Sequence, residues 1–102
     1  MKGWKRAEYY VAERLGGARV PLSGGPGATH SCDVITPTGL RVEVTTDMHR
    51  VKQKLLRIVK VCKEKGGIPC VVFRLEGRWY AIVPLGYLRN ITQEVSDGIS
   101  TD

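Results

Sequence analysis

Two acidic residues, Asp33 and Glu43, stand on either side of a predicted hairpin turn and could bind one metal ion together. If Thr36 and Leu40 flank the turn, the residue numbers of every pair across the hairpin add up to the same value. Asp33 then lies directly opposite Glu43. Opposed residues project to the same face, with Cβ atoms ~5 Å apart. Like charges at that distance repel unless a cation lies between them, and Mg²⁺ and Mn²⁺ prefer such oxygen ligands. The pair therefore favours a metal site over an accidental pair of acids, provided that no bulge interrupts the hairpin.

A third acid, Glu8, lies within the apolar stripe of the first predicted helix, between Trp4 and Val11. A carboxylate on the core side of a helix is unfavourable unless it finds a partner or an ion. Glu8 is therefore a candidate third ligand of the metal. The alternative is a glutamate at the rim of the core that pairs with an arginine or a lysine.

The elements that must position these acids follow the order α-β-β-β-α-β-β, which predicts an α/β fold with a mixed five-stranded sheet flanked by helices. Apolar periodicity predicts helices over residues 4–15 and 48–65. Alternating patterns and turn residues predict strands over 18–22, 30–36, 40–46, 69–75 and 78–83. A short helical turn is expected from Pro84 to Leu88, followed by a polar, flexible tail over residues 91–102.

Length and composition indicate one small globular domain, expected over residues 1–90. No apolar run approaches the ~20 residues that span a bilayer, which excludes a membrane helix. Three cysteines without a CxxC pair favour a reducing intracellular compartment, the cytoplasm or nucleoid. The net charge of +6 favours a polyanion such as DNA as partner, although many small proteins are basic for solubility alone.

The order and spacing of these motifs resemble the PD-(D/E)XK nuclease superfamily and, within it, the archaeal-type Holliday junction resolvases. The likeness covers the chain from about Lys5 to Val83. Its motifs are Lys5-Arg6-Ala7-Glu8, Arg19-Val20-Pro21-Leu22-Ser23-Gly24, Cys32-Asp33-Val34-Ile35, Val42-Glu43-Val44 and a helix bearing Gln53. The resemblance implies a restriction-endonuclease-like fold and a Mg²⁺- or Mn²⁺-dependent DNA endonuclease. Such enzymes usually act as homodimers that nick opposing strands of a four-way junction.

Carried over residue by residue, the resemblance implies that Glu8, Asp33 and Glu43 bind the metal. It also implies that Ser23 lies in a mobile loop near the scissile phosphate. Thr45 stands where the superfamily has its motif lysine, on the same strand face as Glu43. A threonine offers no positive charge to steady the attacking water or the phosphate, so this position puts catalysis in question.

A lysine on the second predicted helix could supply the missing charge. Lys52 and Lys54 flank the apolar stripe of that helix, and the alternative for each is a solvated charge. The surface expected to contact DNA combines a glycine-rich loop with basic side chains. Its members are Lys5, Arg6, Ser23, Gly24, Gly25, His49, Arg50 and Lys52. Trp79 and Tyr87, with the exposed side of the closing strands, are expected either at a dimer contact or in the core.

The missing lysine leaves three functions open. The leading one is a metal-dependent endonuclease that resolves four-way junctions by paired nicking. The second is a catalytically impaired DNA-binding protein on the same fold. The third is a related nuclease that acts on flaps or duplex ends.

Overall fold

The structure is a computed structural model that describes residues 3–20 and 32–99. Its helices are α1 (Gly3–Leu15), α2 (Val51–Lys65) and α3 (Leu85–Ile99), and a 3₁₀ turn at Met48–Arg50 leads into α2. Its strands are β1 (Ala18–Arg19), β2 (Val34–Ile35), β3 (Leu40–Thr45), β4 (Ile68–Leu75) and β5 (Arg78–Ile82). None of the helices in these two ranges has the length and apolar character needed to cross a membrane.

The strands form one five-stranded sheet in the order β1-β2-β3-β4-β5. Neighbouring strands are antiparallel except for β3 and β4, which run parallel. A parallel pair needs a long crossover, and α2 provides it between these two strands. The predicted mixed five-stranded sheet flanked by helices is therefore confirmed.

The two faces of the sheet carry separate apolar clusters. Val42 and Val44 of β3 pack with Val11 of α1 in the larger cluster. Val71 of β4 packs with Ile58 of α2 in the smaller one. Successive side chains of a strand point to opposite faces, so Glu43 and Thr45 belong to the face that α2 covers. This alternation places a charged residue in a buried position between β3 and α2.

The C-terminal helix is longer than the sequence reading predicts. The expected end of a helical turn at Leu88 is wrong, because α3 continues to Ile99. Leu85, Leu88 and Ile91 recur at three-residue spacing, and the Thr92 hydroxyl donates to the Leu88 carbonyl at 2.9 Å. The prediction of a flexible tail rested on the polarity of residues 91–102 and did not include this spacing.

The other helices and strands begin and end within about three residues of the predicted bounds, except that β2 covers only Val34–Ile35 of the strand predicted over 30–36. The predicted helix over 48–65 begins as a 3₁₀ turn, because the Asp47 side chain accepts a hydrogen bond from His49 N and caps that turn. The ends of the two predicted strands over 18–22 and 30–36 fall partly at residues 21–31, outside the described residues.

Candidate active site

A polar cleft of about 440 Å³, called the acidic cleft below, opens where β3 ends and α2 begins. Residues from α1, the β2–β3 hairpin, the turn after β3 and α2 all contribute to its walls. Its lining residues are Ala7, Glu8, Asp33, Val44, Thr45, Thr46, Asp47, Arg50, Lys54 and Arg57. The cleft therefore gathers acids and bases in one space, and Glu8 and Asp33 are two of the predicted metal ligands.

The hairpin brings Asp33 to the third predicted ligand, Glu43. The strands β2 and β3 pair in the predicted register, with Val34 opposite Val42. The regular ladder ends there, since Asp33 N donates to the Val42 carbonyl at 2.9 Å. The Asp33 carboxylate accepts a hydrogen bond from Val44 N at 2.8 Å, which anchors it against the end of β3. The prediction that Asp33 lies directly opposite Glu43 in the ladder is therefore wrong, because the pairing becomes irregular at Asp33. The two carboxyl groups interact through their side chains instead.

Glu43 is a fully buried acid with two basic neighbours. Its side chain is 0% exposed; Arg57 Nη1 lies 3.0 Å from Oε1, and Lys54 Nζ lies 3.8 Å from Oε2. Neither carboxylate oxygen accepts a well-directed hydrogen bond from any residue that the structure describes. The ion pairs therefore balance the charge of Glu43 without satisfying its hydrogen-bonding capacity.

The environment of Glu43 raises its pKa to about 7. Burial is the largest cause, followed by the charge of Asp33 and a hydrogen bond between the two carboxyl groups, while Lys54 and Arg57 oppose the rise. That hydrogen bond exists only when one of the two acids carries a proton. With both acids ionised, neither Glu43 oxygen accepts a well-directed hydrogen bond, although Lys54 and Arg57 offset the charge. A shared proton or a metal ion would satisfy these oxygens.

Glu8 lies in the same acidic group but has its own arginine. It is 6% exposed, and Arg19 Nε donates to Oε1 at 2.7 Å. Burial raises the pKa of Glu8, the Arg19 hydrogen bond lowers it, and the nearby Asp33 charge raises it again, with a net upward shift. The sequence left open a ligand role or a pair with a basic residue, and the Arg19 contact is of the second kind.

Thr45 serves the turn that follows β3. Its hydroxyl accepts a hydrogen bond from Asp47 N at 3.0 Å and donates to the Asp47 carbonyl at 3.1 Å. The residue is buried, so a lysine there would have to displace these bonds. The site thus uses the motif position for local backbone structure and takes its positive charge from elsewhere.

The two candidate lysines differ in where they lie. Lys54 lines the acidic cleft, approaches Glu43 and keeps 21% of its side chain exposed. Lys52 is exposed and lies outside the lining of this cleft. The structure therefore places Lys54 at the acids and leaves Lys52 on the outer surface of α2.

The residues expected to contact DNA are only partly brought together. Arg50 is exposed on the lining of the acidic cleft, and His49 is exposed beside it. Arg6 is exposed on α1 and lines a neighbouring cleft, while Lys5 is half-buried. The loop members Ser23, Gly24 and Gly25 lie outside the described residues.

Sequence reasoning did not single out Arg57 as a site residue. It counted among the basic residues of α2, although it lies one helical turn after Lys54 and therefore on the same side of the helix. Two basic residues at this spacing, opposite a buried acidic position on a strand, were the sequence pattern that could have identified Arg57. Arg19 entered the sequence analysis only within one motif, and its pairing with Glu8 was missed because it depends on how β1 packs against α1.

The fit of a metal ion depends on Asp33 and Glu43. Within residues 3–20 and 32–99, no three Asp, Glu, His or Cys side chains are arranged as a ready metal centre. Glu8, the third predicted ligand, pairs with Arg19 at 2.7 Å. The Glu43 oxygens are buried beside Asp33 and accept no well-directed hydrogen bond, so they fit a hard divalent cation. The three-ligand site thus stays a prediction, and its Asp33–Glu43 half has the matching chemistry.

The sheet order agrees with the fold class expected from the sequence. No protein-family model, curated protein or solved structure matches the chain.

Proposed function

We propose that this protein is a divalent-metal-dependent DNA endonuclease that acts on branched DNA, with the four-way junction as its expected substrate. The observation that supports this most is the state of Glu43, a fully buried carboxylate beside Asp33 whose oxygens accept no well-directed hydrogen bond from the described residues. Lys54 and Arg57 offset its charge but leave this hydrogen-bonding capacity open, and a divalent ion would fill it. Glu43 does not itself line the acidic cleft, but its neighbours Asp33, Lys54 and Arg57 do, and a strongly shifted carboxyl group beside a cleft is typical of functional sites.

Lys54 is the residue to take the role of the missing motif lysine. Its ammonium group stands between the buried Glu43 and the open part of the acidic cleft. A fixed positive charge in that place would stabilise the negative charge that grows on the phosphate in the transition state. Thr45 cannot do so, because its hydroxyl is engaged by Asp47.

Asp33 and Glu43 would hold the metal ion, and Glu8 would join them only after release from Arg19. A divalent ion bound there supplies Lewis-acid stabilisation of the phosphate and lowers the pKa of a coordinated water. Arg57 has 51% of its side chain exposed, so it can turn from Glu43 to a DNA phosphate without leaving a buried gap. Its guanidinium suits such a contact.

A second function, a DNA-binding protein without catalysis, is favoured by one specific observation. Glu8 and Glu43 each have a basic partner, Arg19 and Arg57, at 2.7 and 3.0 Å. A charge-balanced site of this kind persists without an ion and still presents Arg50 and Lys54 to a phosphate. This alternative predicts salt-dependent junction binding and no cleavage with any divalent ion.

The experiment that separates these functions is cleavage of labelled four-way junctions, flaps and duplexes with Mg²⁺ or Mn²⁺. The proposal expects metal-dependent nicking of the junction, and loss of cleavage with retained binding in Asp33→Ala. Glu13→Ala, an exposed acid elsewhere on α1, is the matched control and should nick normally. Preference for flaps or duplex ends would assign the third function. Paired nicks on opposing strands would suit a dimer with two-fold symmetry. Sedimentation would measure whether the protein is a dimer.

A further inference from the structure

A second cleft adjoins the acidic cleft and is called the aromatic cleft below. Its volume is about 750 Å³, and Ala7 and Thr46 line both clefts. Its lining residues are Gly3, Arg6, Ala7, Tyr10, Thr46, Arg74, Gly77 and Trp79. The lining thus contains two arginines and two aromatic rings, and no acid from the part of the chain that the structure describes.

The two rings are held in contact by α1 and the sheet. Tyr10 stacks on Trp79 with ring centroids 5.7 Å apart and planes inclined by 26°. Trp79 lies opposite Arg74 across the β4–β5 pair, and the Arg74 guanidinium carbon lies 5.8 Å from its ring centroid. Trp79 also packs against the apolar cluster on the α1 side of the sheet. The rings are therefore positioned by the fold before any ligand arrives.

The mouth of the aromatic cleft is open. Tyr10 is 44% exposed, and Arg6 and Arg74 are exposed as well. Gly77 has a φ of 78°, a conformation that favours glycine, and a Cβ added there or at Gly3 would meet no atom within 4 Å. Two glycines at the rim thus leave the ring and arginine surfaces accessible.

Exposed rings combined with arginines bind single-stranded nucleic acid without reading its sequence, because bases stack on the rings and the arginines contact phosphates. A fully paired duplex keeps its bases stacked on one another and offers no free base face. The absence of acids from the described lining suits a polyanion. The chemistry of the aromatic cleft therefore matches an unpaired nucleotide better than it matches duplex DNA.

We propose that the aromatic cleft binds an unpaired nucleotide of the DNA substrate, with its base on the exposed ring of Tyr10, which Trp79 supports from within, and its phosphates at Arg6 and Arg74. This inference rests on the proposed nuclease function, because the shared wall at Ala7 places that nucleotide next to the acidic cleft. It narrows the substrate to branched DNA in which at least one nucleotide at the branch is unpaired in the complex with the protein.

The test uses the emission of Trp79. The chain has two tryptophans, so Trp4→Phe leaves Trp79 as the sole reporter. This variant is titrated in EDTA with a short thymidine single strand and with a blunt duplex, which separates binding from cleavage. The single strand should quench Trp79 and saturate. Tyr10→Ala in the same background should weaken single-strand binding roughly tenfold, the order expected for one lost base stack, and leave duplex binding within about twofold.

Two further variants control this result. Tyr10→Phe keeps the ring and should restore binding, and circular dichroism checks that each variant folds. Tyr80→Ala removes an exposed tyrosine of the same sheet that stacks on Phe73 outside this cleft, and it should bind single strands normally.

Equal affinity for single strand and duplex, or unchanged binding in Tyr10→Ala, would overturn the inference. If fully paired junctions are still cleaved in that case, the proposed nuclease function stands and only the single-strand site is contradicted. Failure of the chain to bind any nucleic acid would overturn both.

Discussion

The ammonium nitrogen of Lys54 lies 3.8 Å from a carboxylate oxygen of Glu43, although Lys54 is on α2 and Glu43 is on β3. In the superfamily pattern that the sequence resembles, the lysine follows the glutamate by two residues on the same strand. Here that position is Thr45, which holds the turn into α2. Helix α2 thus places near Glu43 the lysine that strand β3 lacks.

Replacement of Lys54 tests this relationship. If its charge stabilises the phosphate in the transition state, Lys54→Ala should slow single-turnover junction nicking on the order of 100-fold and change junction affinity much less. Lys52→Ala removes a neighbouring exposed lysine outside the acidic cleft and is the matched control. Equal rates in the two variants would show that Lys54 has no special role.

Thr45→Val should destabilise the protein without disturbing the acids. The change keeps the shape of the side chain and removes the two hydrogen bonds to the Asp47 backbone. We expect the free energy of unfolding to fall by about 1–3 kcal/mol, measured by urea denaturation. Thr38→Val, which replaces an exposed threonine, serves as the comparison. It removes the hydrogen bond between the Thr38 and Thr36 hydroxyls. A fall no greater than that of Thr38→Val would contradict the structural role of Thr45.

The raised pKa of Glu43 predicts how stability varies with pH. Its folded-state pKa of about 7 exceeds the usual 4.5, so between these values the folded protein binds more protons than the unfolded chain. The stabilisation is fully present below pH 4.5 and is lost as the pH rises through 7. Urea denaturation across this range should show a downward slope in metal-free buffer. Glu43→Gln should flatten that slope, and an equal slope in this variant would assign the effect to another group.

Arg57 should compete with a metal ion for Glu43, because its guanidinium lies 3.0 Å from Oε1. Removing that positive charge in Arg57→Gln should tighten Mn²⁺ binding to the DNA-free protein several-fold. Calorimetry at about pH 8, where Glu43 is largely ionised, measures this directly. Arg41→Gln, whose Nε donates to the Gly66 carbonyl away from the cleft, should bind Mn²⁺ like the unmodified protein. Weaker binding in Arg57→Gln would contradict the competition.

The sequence predicted the parts of the site that depend on local periodicity. The pairing pattern across the hairpin predicted that Asp33 lies near Glu43. The apolar stripe of the first helix predicted that Glu8 faces the core. It could not choose between Lys52 and Lys54, because that choice depends on how α2 rotates against the sheet. The Arg19–Glu8 and Arg57–Glu43 pairs depend on the same long-range packing, which no spacing along the chain encodes.

The most direct test of the account is nicking of a labelled four-way junction by the unmodified protein and by Glu43→Gln, in Mg²⁺ at about pH 8. This substitution keeps the size of the side chain and removes the charge that would hold the ion. We predict paired nicks by the unmodified protein that require the metal, and rates roughly 100-fold lower or more in Glu43→Gln with junction affinity retained. Nicking by Glu43→Gln at the unmodified rate, or no nicking by the unmodified protein with either Mg²⁺ or Mn²⁺, would contradict the account.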